Sequence, residues 1–474
     1  MKPILSAALL SLASFLLLPG VASAHGSEGA IVLLLPTGYY LAGAAVAVAA
    51  SFLLLAMLPV RISERIGRMR LSLLRLPVLS RIPSSLLSFA FLAMCVLAGL
   101  YGTQDPVENP LPLVIWTLWW LCFAALQAIT GTLWPYLNPW TGPLALVRKA
   151  IGAEVGAKPR FSLPQNAGYL IAFVQFALFA WFELIDLAPS DPDKLAMVVS
   201  LYWLINFAGM LVFSEGEWLD HAEPFSILFQ LIGGLSPFDR RPAGEGHIRL
   251  GLVWPGRGLL DQPRLPVIAV LFVLLTLSTS AFDGFTRTFI WLSAIGINPL
   301  EFPGRSAVVI SGTVGLIGMF ALLALLFLGA VGLGAALAGR RDLGREAAGR
   351  LVYSIVPISV AFQAAHHLVS VLVDGQYGVI AFSDPFALGW NLFGTARWHA
   401  TTSFLNTLEG VSWIFNAETA IITLGHVVGI TMAHLIALRV FGTSRAAVVS
   451  QIPLAMLMVA FTAFGLWLLA TPHI

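Results

Sequence analysis

The sequence predicts an all-α fold, a polytopic transmembrane helical bundle of about ten spans behind a cleaved signal peptide. Three observations lead there. Hydrophobic residues make up 58% of the 474 positions and charged residues 11%, against about a quarter charged in an ordinary soluble domain. Ten stretches are long and apolar enough to cross a bilayer. The basic residues collect in every second connection between those stretches.

At the N-terminus, Lys2 precedes an apolar run from Ile4 to Leu18, followed by Pro19, Gly20 and Ala22-Ser23-Ala24. This is a secretory signal with an Ala-x-Ala cleavage site, so residues 1–24 are expected to be removed and 25–474 to form one polytopic domain. The apolar run is shorter than the roughly 20 residues of a spanning helix, which argues against a retained anchor. A new N-terminal His25 has the amine and imidazole to chelate copper, but no second histidine lies nearby, and the segment reads as an ordinary terminus.

The ten expected spans run from about Pro36 to Val60, Leu87 to Tyr101, Leu111 to Leu133, Gly168 to Leu187, Leu195 to Phe213, Leu265 to Phe285, Ser306 to Leu337, Leu351 to Val373, Ala417 to Phe441 and Ala446 to Ala470. The connection after the first carries Arg61, Arg65, Arg68, Arg70, Arg75 and Arg81, and that after the third carries Arg148, Lys149, Lys158 and Arg160. Arg240, Arg241, Arg249, Arg257 and Arg264 follow the fifth; Arg340, Arg341, Arg345 and Arg350 the seventh; Arg439 and Arg445 the ninth. The alternate connections hold only Lys194, Arg287, Arg305 and Arg397. Cytoplasmic loops are the basic ones, so both ends of the mature chain are expected to be periplasmic in a bacterial inner membrane.

A net charge of +2, with basic residues in separate clusters, argues against a nucleic-acid partner. Cys95 and Cys122 both lie in apolar runs and suggest neither a disulfide nor a thiolate metal site. Three connections are more than turns. Pro224 to Leu235 is apolar yet too short to span and reads as an interfacial or re-entrant helix. Phe289, Ile290 and Trp291 mark an interfacial helix in the loop 286–305. The segment from Asp374 to Asn416 is long, aromatic and glycine-rich, a candidate lid. No internal repeat points to the inverted halves of a transporter.

Ionisable residues inside spans are costly and mark candidate sites. Glu183 and Asp186 lie near the external end of the fourth span, and Asp283 at that of the sixth. Gln363, His366 and His367 belong to the eighth, His426 and His434 to the ninth. At 1.5 Å per residue His366 lies about 22 Å above the cytoplasmic start of its span, and His426 about 12 Å below the external start of the next. The two can share a layer in the outer half with Asp283 and Glu183. His434, about 12 Å deeper than His426, falls outside that layer. Imidazole and carboxylate converging in a partly dry cavity suit zinc, manganese or iron. His366 and His426 are therefore expected to serve in metal binding or proton transfer, with interhelical hydrogen bonding as the alternative role. His367 and His434 read as packing residues, His399 and His473 as surface residues.

Several motifs recur in order along most of the mature chain: Ala24-His25-Gly26, Leu133-Trp134 with Asn138-Pro139-Trp140, Trp181-Phe182-Glu183-Leu184, Ser190-Asp191-Pro192 and Ala208-Gly209-Met210. Trp218, Glu223-Pro224-Phe225, Ser280 to Phe285, Ala365-His366, Ser383-Asp384-Pro385 and Gly425-His426-Val427 with His434 continue the series. In these the chain resembles the fenitrothion hydrolases, a family of bacterial integral-membrane proteins. One position departs: His367 stands where the family has an aromatic residue. The resemblance implies hydrolysis of an organophosphorus triester, an apolar substrate able to enter from lipid or periplasm. In that chemistry a divalent metal ion would be held by His366, His426 and Asp283, while Glu183 and Asp283 would serve as catalytic carboxylates. The alternatives are a transporter for metal ions, protons or small solutes, and a non-catalytic subunit that works with a partner membrane chain.

Overall fold

The computed structural model describes residues 32, 35–59, 61–62, 65, 67, 69–152, 161–302 and 304–471. The signal sequence, its cleavage site, His25 and His473 lie outside the described residues.

The described residues are all-α, with ten helices among them long and apolar enough to cross a membrane. They are α1 (Thr37–Met57), α2 (Ile82–Tyr101), α3 (Pro110–Thr130), α4 (Gln165–Leu184), α5 (Pro192–Val212), α7 (Val267–Thr286), α8 (Arg305–Leu337), α9 (Arg341–His366), α11 (Leu408–Phe441) and α12 (Ser444–Ala470). Two shorter apolar helices, α6 (Pro224–Gly233) and α10 (Leu368–Ala381), complete the bundle. Most side chains on α1, α2 and α5 face outward, whereas α7 is enclosed on nearly all sides, as expected of a central helix. Around α7 pack α4, α8 and α9, and α11 lies against α9. Gly425 and Gly429 allow that last approach. A Cβ on Gly425 would stand 2.3 Å from Ala361 Cβ, and one on Gly429 would stand 2.8 Å from the Ser354 carbonyl.

Contacts between connections bear out the alternating threading. At one end of the bundle, strands β1 (Arg70–Pro77), β2 (Phe238–Pro242) and β3 (His247–Val253) join the connections after the first and fifth spans. The sheet order is β1-β3-β2, antiparallel throughout. At the same end Arg148 meets Glu215 at 3.7 Å, Arg264 meets Glu346 at 3.6 Å, and Arg439 meets Asp261 at 3.0 Å. These pairs draw in the connections after the third, seventh and ninth spans. At the other end the Arg305 guanidinium donates to the carbonyls of Glu183 and Asp186.

The sheet was not foreseen, and the register explains it. An irregularity between Ser72 and Leu74 keeps Leu71, Leu74 and Leu76 on one face with Ile248, Leu250 and Leu252. Arg70, Ser72 and Arg75 then share the opposite face with Arg249. Read without that extra residue, the stretch loses its period of two. The short apolar helix expected within Pro224 to Leu235 is present as α6, capped by Glu223, whose carboxylate accepts the Phe225 and Ser226 amides. The short helix expected around Phe289, Ile290 and Trp291 is present as Phe289–Ala294.

The eighth span differs from expectation. It begins at Arg341, not Leu351, and stops at His366; the chain then restarts as α10. His367 has φ −106° and ψ 14°, outside the helical region. Its ring Nδ1 lies 3.2 Å from the Gln363 carbonyl, the group its own backbone N–H reaches at a long 3.3 Å. A side chain inserted into the i→i−4 ladder is an ordinary cause of such a break.

Candidate metal centre

Asp283 lies at the end of the buried run of α7, one turn before the helix stops at Thr286. His366 closes α9 and His367 stands at the break. Successive residues of a continuous helix diverge by about 100°, so adjacent histidines ordinarily address different neighbours. Here the break turns both inward. His366 Nε2 lies 3.1 Å and His367 Nε2 3.2 Å from the same oxygen, Asp283 Oδ2. The other carboxylate oxygen accepts from Arg287 at 3.1 Å. Gly284 gives the His366 ring room, since a Cβ there would meet ring atom Cε1 at 3.3 Å.

Among the described residues, Asp283, His366 and His367 form the one group of three or more acidic, histidine or cysteine side chains whose ligand atoms all lie within 4.8 Å of one another. Their geometry suits an ion. Donors about 2.1 Å from a zinc-like cation at ordinary coordination angles stand about 3.0–3.4 Å apart, the range of the two nitrogen-to-oxygen separations. Imidazole and carboxylate are the donor types such a metal takes, and Arg287 orients the carboxylate as outer partners of a ligand do.

Glu183, on the facing α4, accepts a 2.9 Å hydrogen bond from Trp120 Nε1 and lies within electrostatic range of Asp283, His367 and Arg287. Trp120 belongs to a π-helical stretch of α3, Leu113–Phe123, a winding often found at functional sites. Beyond the rim, Lys194 Nζ meets Asp186 at 2.5 Å. Burial pushes the Asp186 carboxyl up, but hydrogen bonds from Lys194 and the Ala188 amide hold it below its ordinary range.

Of the expected ligands, Asp283 and His366 are together, but His426 is not in the group and His367 takes the third place. His426 is connected to His366 through a chain of neighbouring rings: it contacts Phe461, Phe461 contacts Phe362, and Phe362 contacts His366. Its Nδ1 bonds the Ile422 carbonyl, and its buried Nε2 has no partner among the described residues. His434 pairs with Gln451 on α12, the packing role expected of it. Arg287 was missed, having been read only as a loop charge; its position one helical turn after Asp283 is the signal that would have found it.

A cavity of about 470 Å³ begins at His367 and runs along α3, α7 and α9 to α6. A second of the same volume, walled by Trp116, Trp119, Trp140 and Trp203, lies between α2, α3, α4 and α5, away from the cluster. No family model, curated protein or solved structure matches this chain.

Proposed function

We propose that the protein is a metal-dependent hydrolase of organophosphorus triesters, embedded in the bacterial inner membrane with both ends of the mature chain periplasmic. The observation that carries the reading is the convergence of His366 and His367 on one oxygen of Asp283, a three-donor set inside a membrane bundle. The motif resemblance supplies the substrate class.

In this reading His366, His367 and Asp283 would hold a divalent ion. Bound there, the ion supplies Lewis acidity toward the phosphoryl group and makes a nucleophile available at neutral pH. Arg287 keeps the second Asp283 oxygen occupied, so the carboxylate offers a single donor atom. Glu183 is the general base: Trp120 fixes Oε1, and Oε2 makes no hydrogen bond among the described residues. The enclosing helices exclude bulk water, which strengthens each of these interactions.

Release of the nitrophenol from fenitrothion by the purified chain tests the proposal. A chelator should abolish turnover and zinc or manganese should restore it. His366→Ala, His367→Ala and Asp283→Asn should each lower it at least about a hundredfold, since each removes a ligand. No turnover by the metal-loaded wild type would overturn the assignment.

A further inference from the structure

The cavity beside His367 has a chemistry of its own. Among the described residues its polar lining consists of Cys122, Thr276, Ser280, Ser359, Gln363, His367 and the Trp120 indole, with no acid, lysine or arginine. An ionic ligand would lose its hydration there without compensation. The cavity is also long. Along α9 its wall runs from Val356 to His367, about 16 Å of helix, and its volume falls among small-molecule sites, about 300–1,000 Å³.

The hydroxyls on the polar wall are already used. Thr276 Oγ1 donates to the Val273 carbonyl at 2.8 Å, and Ser280 Oγ to Gln363 Oε1 at 2.6 Å. The second hydrogen bond fixes the Gln363 amide and leaves its NH₂ without a partner among the described residues, one turn from the histidine pair. The wall therefore offers a donor near its outer end. At the far end, Leu126 and Ile129 line the cavity while 44% and 59% exposed on the outer surface of α3. On a spanning helix that surface meets lipid, so the mouth opens sideways into the bilayer.

We infer that this cavity binds an uncharged, elongated, largely apolar molecule carrying a hydrogen-bond acceptor, which enters from the lipid past Leu126 and Ile129 and is held at its polar end by Gln363. The inference deepens the hydrolase reading by naming what the site admits, and it rests on that reading for the choice of probe.

The test is equilibrium binding of diethyl 4-nitrophenyl phosphate, a neutral triester, to the full chain in lipid nanodiscs with chelator present, so that no turnover intervenes. Wild type should bind it, and the anionic diester ethyl 4-nitrophenyl phosphate should bind at least about tenfold more weakly, for lack of any charge to meet it. Ala364→Phe, which fills the cavity, should abolish triester binding. Gln363→Leu should weaken it about fivefold to tenfold, the effect of one hydrogen bond, and decides the matter if the Phe variant does not fold. Equal binding of the anion, no binding by wild type, or unchanged binding by the folded Gln363→Leu protein would overturn the inference. Normal binding without hydrolysis after metal is restored would instead remove the hydrolase reading and leave the cavity assignment standing.

Discussion

At the scale of single residues, the weight falls on Asp283, whose two oxygens serve different partners: two imidazoles on one, a guanidinium on the other. Arg287→Ala should leave every ligand in place yet weaken metal affinity about 10–100-fold, the usual effect of losing an outer partner; titration with zinc would measure it. Glu183→Gln should retain the metal and lose turnover about 10²–10⁴-fold, as removal of a general base does. Asp283, Glu183 and His366 were legible in the sequence because an ionisable residue in an apolar run always needs a reason. His367 was not, because its sequence position implies a side chain turned away from that of His366. Only the broken backbone brings the two together, and no glycine or proline marks the break.

At the scale of elements, hydropathy predicted the spans because a bilayer demands a fixed length of apolar helix. It misplaced the eighth, since Arg341–Arg350 is a charged start to a helix that is otherwise deeply buried, while Leu368–Val373 continues the apolar run after the helix has ended. The sheet was hidden by its irregularity at Leu73. Its register makes a direct prediction. Arg75→Cys with Arg249→Cys, aligned partners on one face, should cross-link under mild oxidation in native membranes, because paired strand residues lie within disulfide reach. Leu74→Cys with Arg249→Cys should not, since the two face opposite ways. Native Cys95 and Cys122 sit inside the bundle and should not interfere. Cross-linking of both pairs alike would mean that the strands slip.

For the whole molecule, the basic connections gather at one end, through the sheet and the pairs Arg148–Glu215, Arg264–Glu346 and Arg439–Asp261. The positive-inside rule predicts that this end is the cytoplasmic one. Reporters fused after Arg70 or Arg341 should be active only inside, and reporters after Pro192 or Ser383 only outside. N-terminal sequencing of the mature protein should begin at His25. The metal content of detergent-purified protein tests the central claim most directly, because it separates the ligand set proposed from the fold from the one expected from sequence. Wild type and His426→Ala should each carry about one divalent ion per chain, whereas Asp283→Asn, His366→Ala and His367→Ala should carry almost none while still inserting in the membrane. Full metal in His367→Ala with loss in His426→Ala would contradict this, and full metal in all four variants would reduce the cluster to a hydrogen-bonded ion pair that packs α7 against α9.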